Sequence, residues 1–459
     1  MSDTPYIRET RPGVKPAGRG RGAGNAAALA LQLTGLSIFA AHALRVGRPG
    51  LAMAAATFFL PVLVCRRDAR YILGPALLAA GLVLARAGTD IVLFRLAAGE
   101  PWLRASGIMG LVVAVCLGGG LAAFSPGKAP DAAEPPEHAV PRGVAFWLTA
   151  GLLWLARAKA PFPVLLADRF FPGWGDLEIA LLGLYAAWLT GRMVTASRTG
   201  PLRLRYWTAF SLVFFGQLAL GLAGIGQCLM TGTLHPPVPA LIVAGPIYRG
   251  GGYFMPILYL STLLLVGPGW CAHLCYVGAL DGLCAAASGK KPARLPVSTT
   301  RWRIASLALC IIAAAGLRAL GVDTAVALAL VAVFGLAGLA IMVVASRKTG
   351  VMVHCTSYCP IGFVGNVLGK ISPWRLRIAP GCDGCGRCSR ACRYLALPPQ
   401  ALAEGRPGGS CTLCGDCLGA CPASRITLSF PGLSPVAART AYLTLVVSLH
   451  AVFLGVARI

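Results

Sequence analysis

A succession of long apolar runs limits this chain more than any other feature. Roughly eleven candidate helices stand out. They cover 25–44, 51–64, 71–86 (with a further stretch toward Ala97), 106–124, 143–156, 177–194, 206–225, 253–266, 302–317, 324–344 and 440–456. A hydrocarbon core about 30 Å thick needs roughly 20 apolar residues per helical crossing. Hydrophobic residues make up 56% of the chain and charged ones only 12%, against about 25% charged in a soluble domain. The expectation is an all-α polytopic membrane protein whose surroundings are the lipid bilayer.

The formal charge of +25 fits that reading better than a nucleic-acid partner, and none is expected. The cations gather in loops between apolar runs: Arg8, Arg11, Lys15, Arg19 and Arg21 before the first, and Arg66, Arg67 and Arg70 after the second. Arg192, Arg198, Arg203 and Arg205 follow the sixth, and Lys290, Lys291, Arg294, Arg301 and Arg303 follow the eighth. All fall on one side if the N-terminus is inside, as the positive-inside bias requires. No cleavable leader is evident in the polar, basic start.

One polar segment before the last apolar run carries the clearest chemistry. Residues 382–392 read CDGCGRCSRAC and residues 411–422 read CTLCGDCLGACP. Each is C-x2-C-x2-C-x3-C, the spacing of bacterial two-cluster ferredoxins, in which the fourth cysteine of each run ligates the other cluster. Cys382, Cys385, Cys388 and Cys421 are thus expected to hold one [4Fe-4S] cluster. Cys411, Cys414, Cys417 and Cys392 are expected to hold the second. Zinc is the competing reading, but zinc sites are usually built from two separated CxxC pairs. A departure is Arg393, where such a run usually ends in Cys-Pro; the second run keeps Pro422. Arg377, Arg387, Arg390 and Arg393 could offset the cluster charge, dock an acidic partner, or be ordinary basic loop residues.

Two further cysteine pairs stand at the ends of apolar runs: Cys271 and Cys275 in CAHLC, and Cys355 and Cys359 in CTSYC. Each pair puts two thiols one helical turn apart. They could surround one metal, form disulfides or dithiol pairs, or simply pack at a helix end. Both lie at matching places in an internal repeat of two helices, a thiol pair and a Gly-containing apolar stretch, and both adjoin a histidine. That recurrence favours a function, and a joint further redox centre is the working hypothesis.

On these marks the chain resembles the membrane polyferredoxins of the NapH/NosR type. The shared features are paired CxxxCP motifs at the inner ends of membrane helices, followed by two ferredoxin-type motifs. Cys355–Cys359 with Pro360 matches, whereas Cys271–Cys275 is followed by Tyr276. The resemblance spans about residues 206–430. It implies a multi-pass protein of the bacterial inner (cytoplasmic) membrane, with its N-terminus and ferredoxin domain cytoplasmic. It also implies electron transfer between the quinone pool or a cytoplasmic donor and a partner redox protein, such as a periplasmic reductase or other subunits of a complex. A membrane subunit of a quinol dehydrogenase, with quinone as a further cofactor, is one form this could take. The alternative is a maturation factor that reduces or inserts a metal for a partner respiratory enzyme. No bond-making catalytic constellation is visible.

The expected organisation is a basic N-terminus (1–24), a four-helix membrane part (25–124), a Pro/Ala-rich linker (125–142) and two further helices (143–205). A repeated membrane core (206–375), an α+β two-cluster ferredoxin domain (376–430) and a C-terminal membrane helix (431–459) follow. Among weaker signals, Cys65, Cys116, Cys228 and Cys310 read as packing residues, and Cys284 is open. His42 and His450 could ligate haem but fit a core role better. Arg86 and Asp90 stand at i, i+4 and are interfacial if the third helix ends at Arg86. Gln227, His235 and Arg249 flank a Pro/Gly-rich stretch that is either re-entrant or a surface loop, and are candidates for a quinone or partner site.

Overall fold

The computed structural model describes residues 22–59, 66–124, 139–229, 236–292, 295 and 298–456. The fold is 73% helical with a single small sheet. In lipid every backbone polar group must be satisfied within the segment, which leaves the helix as the natural form for these apolar runs. The principal helices are α1 (Gly22–Arg45), α2 (Pro49–Thr57), α3 (Arg66–Ala97), α4 (Leu103–Phe124), α5 (Ala139–Lys159), α6 (Gly175–Thr195) and α7 (Gly200–Leu222). They continue with α8 (Leu241–Arg249), α9 (Phe254–Val266), α10 (Tyr276–Ala287), α11 (Thr299–Ala319), α12 (Thr324–Ile341), α13 (Pro360–Leu368) and α14 (Pro435–Val456).

Among the described residues nine helical segments are long and apolar enough to cross a membrane. Two of the eleven expected crossings fall short for different reasons. The described helix of the second run, α2, has nine residues, and Cys65 lies outside the described residues. Helix α7 has 23 residues, enough to span, but carries Arg203, Arg205 and Gln217. The third run does not end at Arg86. No proline follows that position and IVLFRLA is apolar, so α3 continues to Ala97 and reaches about 48 Å at 1.5 Å per residue. Arg86 and Asp90 therefore lie within one helix, both exposed, and among the described residues no ion pair joins them. Leu111, Phe94, Ile312 and Leu336 are also exposed, as expected of surfaces that lipid would solvate.

Contacts between helix ends sort the bundle into two faces. On one face Trp147 donates through Nε1 to the Tyr71 carbonyl at 2.9 Å, joining the starts of α3 and α5. The rings of Tyr71 and Phe124 add the end of α4. On the other face Arg48 pairs with Asp176 at 2.9 Å, and Arg157 with Asp168 and Asp176. Arg169 there donates to the Gln227 carbonyl at 3.1 Å. The Pro/Gly-rich stretch forms α8, nine residues packed at the end of α11, where Arg318 donates to the Ile247 carbonyl. It is too short to cross the bilayer.

The cysteine-rich segment sits on the first face. Strand β1 (Arg375–Ile378) pairs antiparallel with β2 (Ile426–Ser429), with Arg375 opposite Ser429 and Ile378 opposite Ile426. Leu376, Ile378, Ile426 and Leu428 turn inward, as period-two alternation requires. The sheet brings together the residues just before the first cysteine run and just after the second. Helix α14 then leads across the bundle, ending with Gly455 against Leu153 of α5.

Candidate metal centres

The two cysteine runs repeat the same left-handed turns at matching positions. The residue before the second cysteine has left-handed backbone in each: Gly384 at φ 65° and Leu413 at φ 52°. So has the residue after it, Gly386 at φ 67° and Gly415 at φ 80°. Three residues past the last cysteine come Leu395 at φ 52° and Ser424 at φ 48°. These three non-glycine residues are the described ones with positive φ, a conformation that costs roughly 1 kcal/mol or more each. The turns aim backbone donors at sulfur. Ala396 N–H reaches Cys392 Sγ at 3.3 Å, and Arg425 N–H reaches Cys421 Sγ at 3.3 Å. Donors of this kind stabilise a thiolate and tune a bound cluster.

Four of the eight thiols share a cavity. Cys392, Cys411, Cys414 and Cys417 line one enclosed cavity and interact with one another. Cys388 interacts with Cys421 and Cys382, and Cys392 with Cys388 as well. Cys385 is exposed. Cys392 of the first run thus shares a cavity with three cysteines of the second. Burial pushes Cys411 up to about 12, and pushes Cys414 and Cys417 well above the ordinary thiol range. Cys388 and Cys392 are also raised by burial. Thiols so placed stay protonated at neutral pH unless a cation compensates them.

The membrane pairs converge as well. Cys271, Cys275, Cys355 and Cys359 line one cavity where α10 and α13 begin. Cys275 (φ −82°, ψ 113°) caps α10, and Cys359 (φ −69°, ψ 116°) caps α13 in the same conformation. Gly278 N–H points at Cys275 Sγ at 3.4 Å, and the N–H groups of Ile361 and Gly362 face Cys359. Each thiol therefore meets the positive end of a helix. Pro360 and Tyr276 both occupy the first helical position, where an N–H has no intrahelical partner in any case. The Tyr276 ring stacks on Phe214 at 3.7 Å. The missing proline thus leaves the Cys275 backbone unchanged.

Among the described residues no three His, Cys, Asp or Glu side chains gather as a single metal ion would require. A zinc ion needs four sulfurs, each about 2.3 Å from one centre. A cube with one ligand on each iron sets its thiolates further apart. Orphaned polar atoms around both cavities fit one too: Arg303 Nε, Tyr394 Oη and Thr412 Oγ1 are buried without partners.

Several residues that position these sites were not singled out from the sequence. Asp281 of α10, fully buried, accepts from Ser346 Oγ at 2.6 Å and from Cys355 N–H at 2.9 Å, so one repeat fixes the cysteine turn of the other. A lone carboxylate in an apolar helix was the available signal. Arg203, noted only as a loop cation, is buried and holds Asp416 with two bonds of 3.0 and 2.7 Å. Asp416 lies between Cys414 and Cys417, so this pair locks the cysteine-rich segment to α7. Arg393 donates to the carbonyls of Ala285 and Gly350. The residue that breaks the Cys-Pro pattern thus ties the segment to the membrane helices and does not face a partner. Arg387 and Arg390 are exposed, and Arg377 donates to Ser429 Oγ.

The weaker candidates are dispersed. His450 is buried against Tyr185, Tyr206 and Phe210, and bonds Tyr185 Oη at 3.2 Å. His273, inside CAHLC, bonds Tyr206 Oη at 2.5 Å. Cys116 reaches the Gly35 carbonyl at 3.7 Å; Cys228 is buried, and Cys284 and Cys310 are half-buried. His42 is half-buried in the last turn of α1. His235 lies outside the described residues. The groove beside α8 is lined by Pro246, Tyr253 and Arg318, without Gln227 or Arg249.

A family model described as "4Fe-4S binding domain" matches residues 248–294 and 331–379. The two matched segments contain the membrane pairs and end before Cys382. No curated protein and no solved structure matches.

Proposed function

We propose that this chain is a membrane-bound iron–sulfur electron-transfer protein. Cys382, Cys385, Cys388 and Cys421 would hold one [4Fe-4S] cluster, and Cys411, Cys414, Cys417 and Cys392 the other. Cys271, Cys275, Cys355 and Cys359 would hold a further redox centre at the membrane face. Such clusters supply one-electron carriers whose potentials the surrounding protein sets. The observation that carries the reading is the convergence of three thiol groups on one face of an apolar bundle. In one of them Cys392, Cys411, Cys414 and Cys417 line a single cavity, and the membrane group lies within the segments matched by the 4Fe-4S family model.

The protein's contribution is position and dryness. Arg203–Asp416 and Arg393 hold the cysteine-rich segment rigidly against the helices. Exposed Cys385 gives the outer group an edge within reach of a second redox protein. On the membrane side, a lipid-soluble quinone is the natural exchange partner. The arginine- and lysine-bearing face would be cytoplasmic in a bacterial inner membrane, and the partner a respiratory reductase or another subunit of a complex. The test is stopped-flow reduction of the purified chain in detergent by a hydroquinone analogue. Rapid bleaching of iron–sulfur absorbance supports the proposal. No hydroquinone reactivity, together with stoichiometric copper on the membrane thiols, would make the chain a maturation factor.

A further inference from the structure

The cavity of the membrane thiols contains a buried cation with no acidic partner. Arg303, 3% exposed, opens α11 and faces Cys271, Cys355 and Cys359. Its Nη1 donates to Asn366 Oδ1 at 3.1 Å, its plane lies over the Phe363 ring, and its Nε has no partner. Among the described residues no carboxylate pairs with it. Arg203, equally buried, has Asp416. An arginine stays charged in a protein, and burying it uncompensated is costly. The groups left to compensate Arg303 are the thiolates it faces. Two disulfides would be neutral and would leave the cation bare, whereas a thiolate-ligated cluster is anionic.

The same cavity shares a wall with the inner ferredoxin-type cavity. Tyr394 and Thr412 line both, each 3% exposed, and both hydroxyls lack hydrogen-bond partners. Tyr394 faces Cys271 and Cys355 on one side and Cys414 on the other. Asn366, which receives Arg303, also donates through Nδ2 to the Cys411 carbonyl at 3.1 Å. A buried hydroxyl without a partner is costly, and sulfur is the acceptor within its surroundings.

We propose that Arg303 is the counter-cation of an anionic metal–thiolate centre at Cys271, Cys275, Cys355 and Cys359, and that Tyr394 and Thr412 are the shared wall coupling it to the Cys392/Cys411/Cys414/Cys417 site. The inference rests on the proposed presence of metal at the membrane thiols. A fixed cation favours the more negative, reduced form of the centre, so it raises the potential. A hydroxyl donating to sulfur acts in the same direction. With a cluster bound on each side, Tyr394 and Thr412 would stand between two one-electron carriers, and exchange between them would need no bond made or broken.

The experiment is an anaerobic redox titration followed by EPR, with iron quantitation, on the full chain in detergent. Arg303→Gln should lower the potential of one centre or strip its iron, and Arg303→Lys should restore both. Tyr394→Phe removes one oxygen and should keep all iron while shifting two centres downward. The centre lost in Cys382→Ser should not shift. Parent iron that is unchanged in the Cys271/Cys275/Cys355/Cys359 quadruple serine variant sinks the underlying metal reading. Iron that does depend on those cysteines, with potentials indifferent to Arg303→Gln and Tyr394→Phe, overturns this inference alone.

Discussion

At the scale of single residues, the account turns on which cysteine answers to which. Cys392 lies in the first run yet lines the cavity of the second. Cys392→Ser should therefore abolish the EPR signal that Cys414→Ser also abolishes, and spare the one that depends on Cys382. About four irons per chain should be lost. A loss shared with Cys382→Ser instead would mean uncrossed ligation. The crossed set is a reading from spacing, in which three residues are too few to bring the fourth thiol back to its own cluster, and these variants test it. Arg303, Asn366 and Tyr394 were not legible, because nothing local marks a loop cation, an amide or a tyrosine that tertiary packing brings to a thiol site. Thiol titration gives a second residue-scale test on metal-free protein. Burial raises Cys411 to about 12 from an ordinary value near 9. The folded state thus keeps its proton while the unfolded thiol loses it. Stability from this group is fully present below about pH 9 and is lost as pH rises toward 12. Denaturation midpoints of the metal-free protein should fall across that window, and Cys411→Ser should flatten the fall.

At the scale of elements, the decisive contact is between the cysteine-rich segment and the helices. The buried Arg203–Asp416 pair joins α7 to the loop between Cys414 and Cys417. Removing one partner of such a pair costs about 3–5 kcal/mol. Arg203→Met should therefore release the segment from the bundle, detectable as proteolysis between Leu368 and Pro435 that the parent resists. An equal digestion rate would mean that the pair contributes nothing to docking. Close approach gives a second handle. A Cβ on Gly419 would stand 2.5 Å from the Ser197 carbonyl and 3.1 Å from Arg198 Cα. Gly419→Ala should loosen the same joint while leaving all ligands intact. The repeat itself was readable as paired helices and CxxxC stretches. The shared N-cap position and backbone conformation of Cys275 and Cys359 were not, since Tyr276 and Pro360 look unlike and only the backbone shows them to be equivalent.

At the scale of the whole molecule, the apolar runs and the polar segment before α14 followed from sequence. Where runs end was less legible: α3 passes Arg86 without interruption because neither proline nor a cluster of polar residues stops it. α7 carries Arg203 near its start, where it meets the cysteine-rich segment. The molecule is thus a lipid-facing bundle with the cysteines of its four motifs collected at one end. In sealed inside-out vesicles an alkylating reagent that cannot cross membranes should label Cys385 of metal-depleted protein; labelling only in right-side-out vesicles would invert the proposed orientation. The central claim, three thiol groups each holding metal on one face, is tested most directly by iron quantitation on anaerobically purified full chain. The account predicts clearly more than the roughly eight irons that two [4Fe-4S] clusters supply, falling to about eight in the Cys271/Cys275/Cys355/Cys359 quadruple serine variant. Eight or fewer irons in the parent, unchanged in that variant, would contradict it.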